Sequence, residues 1–149
     1  MNVTAFEKLK NIINLYDGSI YYTPITEEID YANCSLFTNS VSKKIILPSN
    51  KEADPFKWAI KSIETFSSEN VYILIPGRMF DTTGTRHGRG GGWYDRFLSQ
   101  IPKSWIRIGI TDTKHFSKDI LARNSWDEPM DWVIVCENES SVVFETHAR

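Results

Sequence analysis

The chain has 149 residues, of which 41% are hydrophobic and 24% charged, and its formal net charge is -2. This length and composition are those of one globular domain, residues 1–149, with enough apolar residues to bury a core. The slight negative charge excludes nucleic-acid binding through bulk positive charge, and no apolar run approaches the length that spans a bilayer.

The cysteines and the N-terminal residues bear on the compartment. Cys34 and Cys136 lie far apart, without the short spacing that a zinc site or a redox dithiol requires. We interpret them as two core thiols in a reducing cytosol. Residues 1–4 lack a basic region followed by an apolar run, so a cytoplasmic location is expected.

The chain begins with a predicted helix and strand. Thr4, followed three residues later by Glu7, fits a capping box, and apolar residues then recur at helical spacing until Gly18. Residues 19–23 are rich in aromatic and β-branched side chains and are predicted to form a short strand. A second, more weakly patterned helix is predicted from Ile29 towards Val41.

The next two elements have clearer patterns. Residues 44–47 form a short apolar run ended by Pro48, which predicts a strand buried on both faces. Asp54 and Pro55 then fit the N-cap and first position of a helix. The apolar face predicted for that helix consists of Phe56, Ala59, Ile60, Ile63 and Phe66.

The second half of the chain continues the alternation. Strands are predicted at residues 71–75, 106–110, 132–136 and 142–144, and helices at 93–100 and 117–123. Alternating strands and helices imply parallel crossovers, and therefore an α/β sandwich with a mostly parallel sheet and helices on both faces. In such a sheet, ligands bind beyond the carboxyl ends of the strands.

A loop rich in glycine and arginine, residues 76–98, follows the strand at 71–75 and so lies at that edge. It carries four arginines, Arg78, Arg86, Arg89 and Arg96, beside glycines that let backbone N–H groups approach an anion. This combination suits phosphate binding. The loop nevertheless lacks the Gly-Lys-Ser/Thr ending of a P-loop, and Trp93 stands where the dinucleotide fingerprint needs its third glycine.

Two other interpretations of the loop stay open. A solvated glycine-rich loop with scattered charges would have to leave Trp93, Tyr94 and Phe97 in a floppy segment, which is costly. Arg-Gly-Gly segments also occur in proteins that bind single-stranded RNA. Here there is one such patch in a slightly acidic chain, so no nucleic-acid partner is expected.

The loop resembles the signature of the 5-formyltetrahydrofolate cyclo-ligase family, also called 5,10-methenyltetrahydrofolate synthetases. That signature combines Pro-Gly, an aromatic-Asp pair, Gly-x-Arg and a Gly-Arg-Gly-x-Gly-Tyr-Tyr-Asp-Arg-like segment followed by Leu. The matching residues are Pro76-Gly77, Phe80-Asp81, Gly84-Thr85-Arg86 and residues 88–98. The chain departs from it mainly at Trp93, for the usual tyrosine, and at His87, for an apolar residue.

The similarity extends outward over roughly residues 20–137. Residues 22–30 resemble the family segment that supplies a substrate-binding glutamate, here Glu28, and residues 43–48 resemble the strand after it. Residues 126–134 are similar to the closing Asp-x-x-x-Asp segment. The resemblance implies a Rossmann-like three-layer sandwich of the CoA-transferase type.

It also implies an enzyme of one-carbon metabolism. Such an enzyme uses Mg-ATP to activate the formyl oxygen of 5-formyltetrahydrofolate as a phosphate ester, and ring closure releases phosphate. The partners implied are a reduced folate, ATP and Mg²⁺, with no nucleic acid and no membrane. The oligomeric state stays open, with a monomer favoured.

Site residues follow from the resemblance position by position. Arg89, Tyr94 and Asp95 are expected to be catalytic, and Asp95 and Asp127 to hold magnesium. The expected nucleotide-binding residues are Arg86, His87, Gly88, Arg89, Gly90, Gly91, Gly92, Trp93 and Tyr94. The expected folate-binding residues are Glu28, Phe80, Arg89, Gly91 and Trp93.

Each assignment has a structural alternative. Asp95 could pair with a neighbouring arginine, Asp127 could cap a turn, and Glu28 could be a solvated carboxylate at a helix start. Trp93 and Tyr94 could be core aromatic residues. The three histidines share no metal-ligand spacing.

The chain also departs from the family outside the loop. Residues 6–10 carry lysines but not the Lys-x-x-Leu-Arg pattern whose cations reach the ATP phosphates, and the region between Pro48 and Val71 is short. A non-catalytic folate- or nucleotide-binding module is therefore the alternative to an active ligase. A third possibility is an enzyme acting on another phosphorylated or folate-like substrate, since Trp93 would change the shape of the pocket.

Overall fold

The computed structural model describes residues 3–38, 40–50, 52–67 and 70–149. Its helices are α1 (Ala5–Leu15), α2 (Pro55–Thr65) and α3 (Trp93–Leu98), with 3₁₀ turns at Tyr31–Asn33 and Thr113–His115. Its strands are β1 (Gly18–Tyr22), β2 (Lys43–Leu47), β3 (Val71–Ile75), β4 (Met79–Phe80), β5 (Arg86–His87), β6 (Ile106–Asp112), β7 (Trp132–Glu137) and β8 (Ser140–Glu145). No helix within these residues is long and apolar enough to cross a membrane.

Six strands form one sheet in the order β2-β1-β3-β6-β7-β8. All neighbouring pairs are parallel except β7 and β8, which pair antiparallel. The predicted α/β fold with a mostly parallel sheet is therefore confirmed. The predicted burial of both faces of β2 is wrong, because β2 lies at the sheet edge and turns Ile46 to solvent at 53% exposure.

Helix α1 covers one face of the sheet. The Thr4 hydroxyl accepts a hydrogen bond from the Glu7 N–H at 3.1 Å, as the capping box predicts. Leu9 and Ile13 are buried in a cluster with apolar residues of β1, β3, β6 and β7. The predicted first helix is confirmed.

Helices α2 and α3 cover the other face, so the sheet has helices on both sides. The Asp54 carboxylate caps α2 by accepting from the Phe56 N–H at 2.9 Å, as expected. The predicted apolar face of α2 is partly wrong, because Pro55, Ala59 and Ser62 face inward. Phe56, Ile60 and Ile63 remain substantially exposed.

The two helices predicted at residues 29–41 and 117–123 do not form in the described residues. In the first segment, Asp30 caps only the 3₁₀ turn, because its carboxylate accepts from the Ala32 N–H at 3.0 Å. Asn39, which belongs to the same predicted helix, lies outside the described residues. In the second segment, the Ser117 N–H donates to the Phe80 carbonyl at 2.8 Å and the Leu121 N–H to the Asp81 carboxylate at 2.7 Å. These long-range partners replace helical hydrogen bonds.

Candidate active site

A cavity of about 330 Å³, here called the edge cavity, lies where β1, β2 and β3 end. Each of these strands is followed by a segment that contributes to its wall, as the rule for ligand sites in parallel sheets predicts. The wall is completed by the glycine- and arginine-rich loop and by the segment before β7. The lining residues are Thr23, Ile25, Glu28, Pro48, Ser49, Asn50, Gly77, Arg86, His87, Gly88, Arg89, Gly90, Gly92, Trp93, Tyr94, Asp95, Asn124, Trp126 and Asp127.

The first half of the loop is a small hairpin, β4 with β5, which the sequence did not predict. Its turn is organised by the buried Asp81 carboxylate, which accepts from the Thr83 and Thr85 N–H groups at 2.9 and 3.1 Å. The Arg78 N–H donates to the His87 carbonyl at 2.7 Å. This half of the loop is therefore a hydrogen-bonded structure, and the interpretation as a floppy segment is wrong for it.

Arg86 is a partly buried cation in the wall of the cavity. Its Nε donates to the Pro76 carbonyl at 2.6 Å, and its guanidinium carbon lies 5.0 Å from the centre of the Tyr94 ring. Burial lowers the pKa of Arg86 and raises the pKa of Tyr94. Arg86 and Tyr94 therefore form a fixed stacked pair on the cavity wall.

Arg89 and Glu28 lie beside one another. Arg89 Nη1 is 2.7 Å from the Glu27 carboxylate, and its Nε is 3.7 Å from Glu28 Oε2. Glu28 Oε1 also accepts from the Ile25 N–H at 3.1 Å, so the Glu28 side chain is held and only 11% exposed. Burial raises the pKa of Glu28 more than Arg89 and Arg86 lower it.

Asp95 and Asp127 both line the cavity. Asp95 Oδ1 accepts from the Glu128 N–H at 3.0 Å, and Asp127 Oδ2 accepts from the Asn124 N–H at 2.7 Å. The pKa of Asp95 is raised by burial and by the neighbouring charges of Asp127 and Glu128. Within the described residues neither aspartate has an ion pair, so the alternative interpretation of Asp95 as the partner of a neighbouring arginine is not supported.

This pair of aspartates fits a magnesium ion that is completed by other oxygen ligands. Mg²⁺ in phosphate-transfer sites is usually held by one or two carboxylates, together with waters and substrate phosphates. No group of three or more His, Cys, Asp or Glu side chains in the described part of the chain could form a metal cage. The donor set therefore suits an ion bound together with a phosphate.

The remaining predicted site residues have varied positions. Trp93 lines the cavity while its Nε1 donates to the Ala53 carbonyl at 2.7 Å and its ring stacks on Phe97 at 5.6 Å, so its functional and core interpretations are compatible. His87 Nε2 lies 2.7 Å from the Ala122 carbonyl. Phe80 has a fully buried side chain in the core and does not line the cavity, unlike the sequence expectation.

Of the four glycines predicted to bind nucleotide, three line the cavity and one does not. Gly88, Gly90 and Gly92 line the cavity, whereas Gly91 is not part of its wall and gives its carbonyl to Arg96 Nη1 at 2.6 Å. Gly90 has φ of 99°, in the left-handed region that favours glycine. The loop thus turns its backbone towards the cavity at three of the four positions.

Sequence reasoning missed part of the wall. Pro48, Ser49 and Asn50 follow β2 and could have been found from the rule that ligands bind beyond strand ends. Asn124 and Trp126 carry no local pattern, and Trp126 is 70% exposed at the cavity. Their position depends on the folding of the segment before β7.

An ion pair of a buried arginine supports that segment, and no sequence pattern predicts it. The fully buried Arg107 donates from Nη1 to Glu128 at 3.1 Å and from Nη2 to the Leu98 carbonyl at 3.2 Å. The Arg107 N–H also donates to Asp131 at 2.8 Å. These contacts fix Glu128 and Asp131, which follow Asp127, since a buried guanidinium requires its partners.

Fold and cavity together define an α/β protein with an arginine-lined cavity at the carboxyl ends of its parallel strands. Comparison with known families makes this more specific. The chain belongs to the 5-formyltetrahydrofolate cyclo-ligase family, whose model matches residues 47–136. The predicted family, and its class of ligase enzymes, are confirmed.

Two curated relatives are 5-formyltetrahydrofolate cyclo-ligases of mycoplasmas. The Mycoplasma pneumoniae protein is 25% identical over 115 residues, covering 76% of this chain and 69% of the relative. The Mycoplasma genitalium protein is 24% identical over 134 residues, covering 89% of this chain and 71% of the relative. Both alignments include most of the chain.

Solved structures show the same fold. The 5,10-methenyltetrahydrofolate synthetase of Aquifex aeolicus superposes with a TM-score of 0.56 at 20% identity, covering 98% of this chain and 86% of that one. The synthetase of Mycoplasma pneumoniae gives 0.55 at 21% identity, covering 93% and 90%. At these identities the likeness concerns the fold alone.

Proposed function

We propose that this chain converts 5-formyltetrahydrofolate to 5,10-methenyltetrahydrofolate, using ATP and Mg²⁺ and releasing ADP and phosphate. The observation that carries the proposal is the convergence of arginines, two aspartates and a held glutamate on one cavity, in a chain of this family. The reduced folate and ATP would meet in the edge cavity.

The loop would hold the phosphates. Arg89 can offer a charge-assisted contact, and the backbone around Gly88 and Gly90 can approach an anion closely. Arg86, fixed against Tyr94, supplies a partly buried positive charge nearby. Preorganised cations of this kind stabilise charge that develops on a transferring phosphoryl group.

Asp95 and Asp127 would hold the magnesium ion. When bound, Mg²⁺ neutralises phosphate charge and orients the phosphates. The two carboxylates are kept in place by N–H groups of Glu128 and Asn124, so little reorganisation is needed on binding. The backbone hydrogen bond to each aspartate leaves its other carboxylate oxygen for the ion.

Glu28 would hold the pterin ring of the folate. A carboxylate can pair with adjacent ring N–H groups, and Glu28 is already oriented by the Ile25 N–H and by Arg89. Burial strengthens such a pair because water competes less. Glu28 and Arg89 are neighbours, so the folate and phosphate sites would adjoin.

This reaction mainly requires the chain to position the folate and ATP and to neutralise the charge of the phosphates. The formyl oxygen attacks the terminal phosphorus of ATP and ADP leaves; the second folate nitrogen then attacks the formyl carbon, loses its proton, and phosphate leaves. Holding both ligands in contact can contribute several kcal/mol to such a step. No nucleophilic side chain is needed.

The test is direct. Purified protein is mixed with 5-formyltetrahydrofolate, ATP and Mg²⁺, and the absorbance of methenyltetrahydrofolate is followed together with ADP release. We expect both products in equal amounts. Absence of product despite measurable binding of either ligand would overturn the proposal and leave the binding module.

One observation favours that second candidate, a non-catalytic binding module. Lys8 on α1 is paired with Glu145 on β8 at 2.8 Å, and in the described part of the chain no lysine lines the cavity. Lys8 therefore does not replace the missing N-terminal cations in this conformation. Among the described residues, the loop arginines would supply the positive charge that, together with magnesium, neutralises the phosphates.

Replacing Arg89 by alanine is expected to weaken nucleotide binding by about 10-fold or more, because a charge-assisted hydrogen bond is lost. The measurement is calorimetric titration with Mg-ATP in the absence of folate. Arg78→Ala is the matched control, since Arg78 lies in the same loop, is exposed and does not line the cavity. Equal affinities of the two variants would remove Arg89 from the phosphate role.

Folate affinity is expected to fall as the pH is lowered, beginning above the usual glutamate pKa of about 4.3. Burial raises the pKa of Glu28, so Glu28 protonates at a higher pH than an exposed glutamate and loses its acceptor. Glu28→Gln should bind 5-formyltetrahydrofolate about 10-fold more weakly and without this pH dependence. Titration calorimetry across the acidic range measures both effects.

Glu27→Gln is the control for that experiment, because Glu27 contacts the same Arg89 but is largely exposed. It should retain the wild-type affinity and pH profile. If Glu28→Gln binds folate like the wild-type protein, Glu28 has no part in the folate site.

A further inference from the structure

A second cavity, of about 200 Å³, contains both cysteines of the chain and is separate from the edge cavity. It lies between the segment around the first 3₁₀ turn and the β7–β8 hairpin. Cys34 and Ser35 line one side, and Cys136, Asn138 and Ser141 line the other. Cys34 and Cys136 are 102 positions apart in the sequence, and both line this one cavity.

Backbone structure fixes each thiol. The Cys34 N–H donates to the Tyr31 carbonyl at 3.0 Å and closes the 3₁₀ turn. Cys136 is paired opposite Ser141 in the antiparallel β7–β8 register. The tertiary fold therefore brings the two thiols to the same cavity, and no local sequence motif does so.

The two sulfurs share a polar contact. Cys34 Sγ lies 3.8 Å from Ser141 Oγ, and Ser141 Oγ donates to Cys136 Sγ at 3.9 Å. The neighbouring Cys136 thiol lowers the pKa of Cys34 to about 6, and the neighbouring Cys34 raises the pKa of Cys136. Both are free cysteines, Cys34 buried and Cys136 partly exposed.

We propose that Cys34 and Cys136 form an oxidation site at which a hydroperoxide produces an intramolecular disulfide. Both cysteines line a cavity of about 200 Å³, which is large enough to hold a small hydroperoxide. A reactive thiol is one that ionises readily at an accessible position, whereas a buried inert thiol has its pKa raised. This proposal goes beyond the interpretation of the two cysteines as core thiols, which their packing in one apolar cluster supports.

The reaction has two steps. The Cys34 thiolate attacks one peroxide oxygen; an S–O bond forms, the O–O bond breaks, and the leaving oxygen takes a proton as water or alcohol. The Cys136 sulfur then loses its proton and attacks the Cys34 sulfenic acid; the S–S bond forms and hydroxide leaves to become water. The thiols lose two electrons and the peroxide gains two.

The test uses the full chain without ligands, so it is independent of the proposed ligase function. Reduced protein is treated with stoichiometric hydrogen peroxide, then denatured, and its thiols and intact mass are measured. We expect loss of both thiols, a mass lower by two hydrogens, and no cross-linked dimer on a non-reducing gel. Because the chain has two cysteines, an intramolecular disulfide can only be this one.

Two variants assign the roles. Cys136→Ser should stop at the Cys34 sulfenic acid, which a 1,3-diketone probe traps. Cys34→Ser should react about 10-fold more slowly than the wild type, because the readily ionised thiol is gone. The proposal would be overturned if the wild-type thiols survive the peroxide or disappear no faster than in Cys34→Ser. Formation of sulfinic acid or of intermolecular disulfides in the wild-type protein would also overturn it.

Discussion

Replacing Gly84 by alanine is expected to lower the free energy of unfolding by about 3 kcal/mol, through backbone strain and a steric clash. Gly84 has φ of 87°, and an added Cβ would overlap the Met130 carbonyl oxygen. The Gly84 carbonyl accepts from the Met130 N–H at 2.8 Å, so the two segments are tied together at this contact and cannot separate freely. For a domain of this size the melting temperature should fall by about 10 °C.

Gly90→Ala separates the two causes. Gly90 also has a positive φ, 99°, but an added Cβ there would meet nothing within 4 Å. We expect it to cost about 1 kcal/mol from backbone strain alone. Equal melting temperatures for the two variants, measured calorimetrically, would show that the contact between Gly84 and Met130 is not rigid.

Replacing Asp95 by asparagine is expected to reduce turnover by about 100-fold or more, because a ligand of the proposed magnesium ion is removed. Asparagine keeps an oxygen for the hydrogen bond from the Glu128 N–H, so the local backbone should be retained. The measurement is methenyltetrahydrofolate formation as a function of Mg²⁺ concentration. The variant should need more Mg²⁺ for half-maximal nucleotide binding.

The same substitution should not lower stability at neutral pH. The pKa of Asp95 is raised in the folded protein, so between its usual and raised values the folded state binds more protons than the unfolded state. Stability therefore falls as pH rises through that window, and the ionised Asp95 costs stability above it. Asparagine removes this cost, and the melting temperature at neutral pH should be unchanged or higher.

Asp119→Asn is the control, because Asp119 is an exposed aspartate outside the edge cavity. It should keep wild-type turnover and Mg²⁺ dependence. If Asp95→Asn turns over at the wild-type rate with the wild-type Mg²⁺ requirement, Asp95 is not a metal ligand.

The elements that sequence predicted well are those whose signals are local. Examples are the N-cap of α1 at Thr4, the start of α2 at Asp54-Pro55 and the apolar run of β3. Each of these signals depends on residues that are a few positions apart in the chain. The helix predicted at 117–123 failed because its N–H groups donate to Phe80 and Asp81, nearly 40 residues away. Partners at that distance leave no local pattern.

The candidate site divides in a similar way. The motif and its flanking segments predicted five charged site residues that all line one cavity: Glu28, Arg86, Arg89, Asp95 and Asp127. Phe80 was predicted with them and lies in the core, because the hairpin turns its ring towards Gly109. A motif identifies residue types at fixed positions, but the direction of each side chain depends on strand geometry.

The family, the α/β alternation and the residues of the loop can be predicted from the amino-acid sequence, because periodicity, caps and motif spacing are properties of neighbouring residues. The partners of those residues depend on the folded chain. It paired Arg89 with Glu27 and Glu28, buried Arg107 against Glu128, and brought Cys34 to Cys136. The physical reason is that burial and charge pairing act over distances in space, which the chain sets only after it has folded.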